Sequence, residues 1–212
     1  IEVHPEFNLS LVASEPLINK VMAIDWDEKG RLWVAETPEY PNGRRAPNTT
    51  VWKDTGSLRP GQTQREPEDR ISILTDTNGD GVMDKKQVFA DKLELVTSFV
   101  LYRNGVIAAS APDIWLLEDT DGDGRADQRD TLYTGFVEGN QQHRANGLVV
   151  GLDQWVYIAN GDSGGTIESK ITGKTVNISG RDLRVNPRTG DLEAVTGQTQ
   201  FGRNRDDWGN WF

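Results

Sequence analysis

Cysteine is absent from this chain, and with it go disulfides, thiolate metal centres and the CxxCH attachment of a c-type haem within these residues. Histidine is nearly absent too. His4 and His143 are the only two, so any imidazole chemistry falls on one of them. No apolar run approaches the roughly 18 residues that a membrane-spanning helix needs. Positive charge is short as well. The formal net charge of -10 gives an acidic surface that repels phosphate backbones and excludes nucleic acid as a partner. No basic cluster reads as a membrane-surface patch. The chain opens at Ile1 with neither Met nor a signal sequence and reads as a mature or trimmed product.

What remains is a turn-rich β composition. Helical periodicity is scarce, whereas short strand-like runs are bounded by Gly, Asp, Asn and Pro. Phe7 to Val12 alternates apolar and polar residues. Val21 to Trp26 and Leu32 to Ala35 join across Asp27-Glu28-Lys29-Gly30. Ser98 to Tyr102 and Val106 to Ala109 join across Arg103-Asn104-Gly105. Leu148 to Val150 and Trp155 to Ala159 join across Gly151-Leu152-Asp153, and Leu183 to Asn186 and Leu192 to Val195 across Pro187-Arg188-Thr189-Gly190. Two further pairs, Ile71 to Leu74 with Gln87 to Phe89 and Ile114 to Leu117 with Thr131 to Tyr133, each flank an acidic loop.

These pairs repeat. The acidic loops begin 43 residues apart, at Asp76 and Asp119, within the range of about 40 to 50 residues for one propeller blade. Leu32-Trp33-Val34-Ala35, Val106-Ile107-Ala108-Ala109 and Val156-Tyr157-Ile158-Ala159 are the same second strand seen three times. The expected fold is all-β, a β-propeller of four-stranded antiparallel blades. About three blades are present, as the N-terminal half of a six- or seven-bladed ring. The boundaries read as a lone strand within 1–16 that completes the last blade, and a first blade over 17–96 carrying a long insertion at 37–69. A second blade follows over 97–140, a third over 141–200, and the start of a fourth over 201–212. The remaining blades, from the same or another chain, are then an expected partner. The other reading is a smaller open β-sheet protein.

The acidic loops read Asp76-Thr77-Asn78-Gly79-Asp80-Gly81-Val82-Met83-Asp84 and Asp119-Thr120-Asp121-Gly122-Asp123-Gly124-Arg125-Ala126-Asp127. Calcium takes six to eight hard oxygen ligands. Asp76, Asn78 and Asp80, and likewise Asp119, Asp121 and Asp123, supply side-chain oxygens at alternate positions. Gly at the sixth position allows the turn. Val82 or Arg125 offers a carbonyl, and Asp84 or Asp127 closes the shell. The twelfth position is Gln87 or Asp130 and the flanks are β-like, so these are expected to be structural sites rather than conformational sensors. Two such sites suit a calcium-rich exterior, periplasmic or extracellular.

The stretch from Gln141 to Asp162 carries the catalytic candidate. His143 lies just before an inner strand, where it would face the central channel as a general base. A packing His is the plainer alternative. Gln142, Arg144 and Asn146 flank it as substrate candidates. Glu36 and Tyr40, at the start of the insertion, would line the channel mouth or else pair with Arg44 and Arg45. Asp162-Ser163-Gly164-Gly165 looks like a nucleophile turn, but no second His is placed to serve it.

The pattern of His143, Leu148, Gly151, Asp153-Gln154, Tyr157 and Gly161-Asp162 resembles the soluble quinoprotein glucose and aldose sugar dehydrogenases. Asp76 to Gly81 and Asp206-Asp207-Trp208-Gly209-Asn210 are similar to motifs of dehydrogenase-like propeller domains in large secreted bacterial proteins, often fused to a c-type haem domain. That resemblance spans nearly the whole chain. It implies a six-bladed propeller using pyrroloquinoline quinone (PQQ) and calcium, with a carbohydrate or alcohol substrate and a c-type cytochrome as electron acceptor. His143 would correspond to the base that takes the hydroxyl proton. Arg203, in Gly202-Arg203-Asn204, would correspond to a cofactor-contacting Arg at a spacing one residue short. Gln142 stands where the glucose enzyme has Asp. The remaining cofactor-clamping cations are expected beyond Phe212. A calcium-stabilised module that binds carbohydrate or protein without catalysis, and a scaffold half that pairs with another chain, are the competing expectations.

Overall fold

The computed structural model describes residues 2–41, 66–138 and 140–212. Most of the insertion, with Arg44 and Arg45, lies outside them. Fourteen strands follow in order: β1 (Val21–Trp26), β2 (Leu32–Glu36), β3 (Asp69–Thr75), β4 (Lys85–Leu93), β5 (Ser98–Tyr102), β6 (Gly105–Ser110), β7 (Asp113–Glu118), β8 (Gln128–Phe136), β9 (Asn146–Val150), β10 (Val156–Ala159), β11 (Gly165–Ser169), β12 (Thr175–Asn177), β13 (Asp182–Asn186) and β14 (Asp191–Val195). The only helical element among the described residues is a 3-10 turn, Gln141–His143. Among the described residues no helix is long and apolar enough to cross a membrane.

The protein is all-β, built from three antiparallel sheets. The first has the order β1-β2-β3-β4 and the third β9-β10-β13-β14. The second runs β5-β6-β7-β8 and then continues through β11 and β12 to six strands. Neighbouring strands in β1 to β8 are joined by short connections, the simplest antiparallel arrangement, except β2 and β3, which pair across the long insertion. The Asp27 turn shows why. Its carboxylate accepts from the Lys29 and Arg31 amides, from Arg31 Nε at 2.6 Å and from Trp33 Nε1 at 2.9 Å, so one side chain closes the hairpin.

The second strands β2, β6 and β10 are buried at every residue. Their unbroken apolar runs suit strands covered on both faces. One apolar cluster joins sheets one and two through Trp33, Ile71, Phe89 and Val106, and another joins sheets two and three through Ile107, Ile114, Ile158 and Leu183. Each such side chain contributes about 1.5–3 kcal/mol by leaving water. A third, smaller cluster covers the far face of sheet one, where Leu32, Val34, Leu74 and Met83 meet Val12, Ala13, Leu17 and Ile18 of the N-terminal segment. β5 lies against β1 on one side and β9 on the other, so the first strands of the three sheets are neighbours.

Phe7 to Val12 makes no ladder with the described strands, and Phe7, Leu9 and Leu11 are exposed. One expectation is corrected. The residues over 141–200 do not make one four-stranded unit. The hairpin β11–β12 is inserted between β10 and β13 and is added to the outer edge of the preceding sheet through β8. Burial of Ile167 holds it there.

Candidate functional site

The first strands all begin at one end of the molecule. A cleft of about 530 Å³ opens there, lined by Met22 and Ala23 of β1, Ser98 of β5 and Asn146 and Gly147 of β9. Tyr40, Gln142, Arg144 and Phe201 complete its wall. Four of the five sequence-level substrate candidates therefore meet, although Tyr40 and Gln142 are 102 residues apart. Gln142 Nε2 donates to the Tyr40 hydroxyl at 3.1 Å. A wider wedge of about 700 Å³ lies at the other ends of β1 and β5, between Trp26, Tyr102 and the second acidic loop.

His143 stands beside the cleft on the 3-10 turn, which is capped by Asn140. Its Nδ1 lies 3.8 Å from the Asp162 carboxylate and its Nε2 lies 3.1 Å from Gln200 Nε2. Phe201 meets the ring edge-on at 6.3 Å. The backbone under the turn is pinned. Gly161 has φ of +69°, and a Cβ there would lie 2.2 Å from the Arg144 carbonyl, so only glycine lets the two segments meet. The Ser163 hydroxyl donates to the His143 carbonyl, which gives this serine a structural partner in place of a base.

The flanking candidates differ in what they can offer. Asn146 is engaged by backbone: Nδ2 donates to the Arg144 and Gln200 carbonyls at 2.9 and 2.8 Å, and Oδ1 accepts from Gly202 at 2.7 Å. It holds the 200–202 segment in place. Arg144 is buried, donates through Nε to the Glu138 carbonyl and lies 3.8 Å from the Glu138 carboxylate. Burial lowers its pKa, with Glu138 and Glu94 opposing, and its Nη1 has no hydrogen-bond partner.

Glu36 is not at the cleft. It is fully buried and accepts from the Asn19 amide at 2.9 Å, Ser72 at 2.6 Å, Lys86 at 2.8 Å and Arg70 at 3.2 Å. Burial acts to raise its pKa, but the bonds from Lys86, Ser72 and Arg70 outweigh it and hold the carboxylate below its usual range. Its pairing with Arg44 or Arg45 lies outside the described residues. Arg203 is likewise drawn away from the cleft. It forms a buried ion pair with Asp182 and sits over the rings of Tyr157 and Trp211, at 5.7 and 5.0 Å. Asp182 also accepts from the Asn160 and Thr199 amides and the Thr199 hydroxyl, which makes it the hub of this end of the chain. Sequence reasoning missed Asp182, Gln200 and Met22. Their roles depend on distant partners, and no local motif marks them.

The two acidic loops are the turns β3–β4 and β7–β8, as their spacing predicts, and they share most of their hydrogen bonds. Asp76 accepts from the Gly79 and Gly81 amides at 2.7 and 2.8 Å, and Asp119 from Gly122 and Gly124 at 2.7 and 2.8 Å. Asp80 accepts from Val82 and Asp123 from Arg125. These amide bonds, that from Gly81 foremost, lower the Asp76 pKa. Carboxylate oxygens of Asp119, Asp121 and Asp123 all lie within 4.8 Å of one another. Asp84 and Asp127 do not join the group. They accept from the amide and hydroxyl of Thr77 and Thr120, so the ninth position closes the loop from within.

The chain is an all-β protein with this repeated loop and a cleft at the heads of the first strands of its three sheets. The chain belongs to the family described as a domain of unknown function, DUF7133, which matches residues 1–212. No curated protein matches it.

Proposed function

We propose that this chain is the calcium-stabilised portion of a β-propeller dehydrogenase acting on a sugar or other alcohol outside the cytosol. The three sheets are its blades. The observation that carries the reading is the meeting of Tyr40 and Gln142 at the cleft, beside His143. A phenol and a carboxamide offer donors and acceptors for hydroxyl groups, and Met22 and Phe201 offer an apolar wall, which is the mixture a sugar presents in return. Gln200 Nε2 lies 3.1 Å from His143 Nε2 and occupies its lone pair, with Nδ1 facing Asp162, so a substrate hydroxyl reaches Nε2 as a base only by displacing the Gln200 amide.

The acidic loops hold calcium through Asp76, Asn78 and Asp80 and through Asp119, Asp121 and Asp123. The side chains cluster on hard oxygens, and a cation relieves their repulsion. These sites are remote from the chemistry, since the loops share no residue with the cleft.

PQQ carries carboxylates that need cations. Among the described residues Arg203 is committed to Asp182, and Arg144 is buried against Glu138. The described residues therefore do not fit the quinone by themselves, and a clamp for it must come from elsewhere in the polypeptide. Electrons would leave to a c-type cytochrome, as the resemblance implies. The commitment of both arginines also favours a second reading, a non-catalytic propeller that binds carbohydrate or protein.

Dye reduction in the full-length polypeptide, with PQQ, calcium and a panel of aldoses and alcohols, tests the reading. Turnover is expected, and His143→Ala should lower kcat by at least about 100-fold. Carbohydrate binding by calorimetry with no dye reduction on any substrate selects the non-catalytic reading.

A further inference from the structure

Gln200 bonds the His143 ring directly. Its Nε2 lies 3.1 Å from His143 Nε2, while the Asp162 carboxylate stands 3.8 Å from Nδ1. A carboxamide nitrogen only donates, so it covers the lone pair that an incoming hydroxyl needs. A hydroxylated ligand has to move this amide aside before it reaches the ring.

The main chain under Gln200 is pinned on both sides. Asn146 Nδ2 donates to the Gln200 carbonyl at 2.8 Å, and Asn146 Oδ1 accepts from the Gly202 amide at 2.7 Å. On the preceding residue, the Thr199 amide and hydroxyl donate to Asp182 at 3.0 and 2.6 Å, and the Thr199 carbonyl accepts from Gly161 at 2.9 Å. The segment is also pressed onto β9, since a Cβ on Gly147 would lie 2.6 Å from the Gly202 Cα. Only the Gln200 side chain is left to turn. An amide that leaves Nε2 by rotation about its side-chain bonds stays within reach of the group that replaces it.

The displaced carboxamide still has N–H groups to donate and a carbonyl that accepts. A ligand hydroxyl that gives its only hydrogen to Nε2 can accept from the amide N–H, but it has no hydrogen left for Gln200 Oε1. A second hydroxyl on the adjacent carbon supplies one. We infer that Gln200 is a specificity-determining residue: it covers His143 Nε2 at rest and, once displaced, binds a second hydroxyl next to the one that His143 takes. The cleft then selects vicinal diols, the grouping that sugars and polyols carry, over lone alcohols. The second hydroxyl adds one net hydrogen bond, about fivefold in affinity. Gln200 does this without a local motif, because the bonds that place it come from Asn146, Gly161 and Asp182.

The inference rests on the reading of the cleft as a site for hydroxyl groups and holds with or without turnover. Diethyl pyrocarbonate, which acylates an unprotonated imidazole nitrogen, tests it in the full-length polypeptide, with labelling of His143 followed by peptide mass spectrometry. In Gln200→Met, which keeps the length and loses the amide, His143 should label about fivefold faster, and Gln200→Ala should match it. The exposed His4 should keep its rate in both. A vicinal cyclohexanediol should protect His143 of the unsubstituted protein at about fivefold lower concentration than cyclohexanol, and the two alcohols should protect either variant equally. Equal protection in the unsubstituted protein, a gap that survives in both variants, protection by neither alcohol, or labelling unchanged by loss of the amide would overturn the proposal. The expected gap without dye reduction on any substrate leaves the site in place and removes only the dehydrogenase.

Discussion

Glu36 ends β2 and Asp69 opens β3, and both carboxyl groups are fully buried. Their surroundings send them in opposite directions. Glu36 faces Lys86, Ser72 and Arg70 and is held ionised. Among the described residues no cation hydrogen-bonds to Asp69. Burial pushes its pKa up to about 7, and the charges of Glu39 and Glu94 reinforce this, against amide bonds from Glu39 and Leu95. The unfolded value is near 3.8, so between these limits the folded state keeps a proton that the unfolded chain has released. Asp69 therefore supports the fold fully below about pH 4, and that support is lost as pH rises towards 7, by at most about 4 kcal/mol. Glu36 behaves in the reverse sense: its contribution is present above its unfolded pKa and is lost as pH falls through the depressed folded value. The urea midpoint should fall between pH 5 and 7.5 in the wild type, and Asp69→Asn should flatten that slope. A wild-type midpoint that holds level over this range would refute the assignment.

At the scale of elements, the inserted hairpin β11–β12 is the part of the fold least legible beforehand. Thr166-Ile167-Glu168 alternates, but the run is short and lies beside Gly164-Gly165, which reads as a turn. What makes it a strand is the exposed outer edge of β8 and the buried seat for Ile167, neither of which is local. Ile167→Ala should therefore cost about 3 kcal/mol in chemical denaturation, the range for deleting a buried isoleucine. A loss below about 1 kcal/mol would mean that the hairpin is peripheral. Most of the first eight strands were readable in advance because their hairpins are closed by residues next to them in sequence, as at Asp27, while β2 and β3 pair across the long insertion.

For the whole molecule, the acidic loops link sheets as well as turning strands. The second loop touches sheet one through the Gln87 side chain, which donates to the Asp123 carbonyl at 2.8 Å, and through the Ala126 amide on Phe89. The calcium proposed for this loop would stabilise the junction between two sheets, and its effect should be global. At a free concentration 100 times the dissociation constant, one site adds about 2.7 kcal/mol. Chelation is expected to lower the thermal midpoint and calcium to restore it, and Asp119→Ala should remove part of that shift. Identical melting with chelator and with calcium would exclude the sites.

The sequence by itself determined the all-β class, the hairpins β1–β2, β3–β4, β5–β6, β6–β7 and β7–β8, and the position of both acidic loops as turns. In each case the groups that satisfy one another lie within about a dozen residues, so spacing alone brings them together. Only the tertiary structure decided that Tyr40 meets Gln142, that Glu36 and Arg203 are withdrawn into buried ion pairs, and that β11 and β12 join the preceding sheet. Those outcomes depend on how sheets stack and which edges stay open. A side chain's partner is then set by the packing of apolar faces far away in the chain, and no local pattern records it.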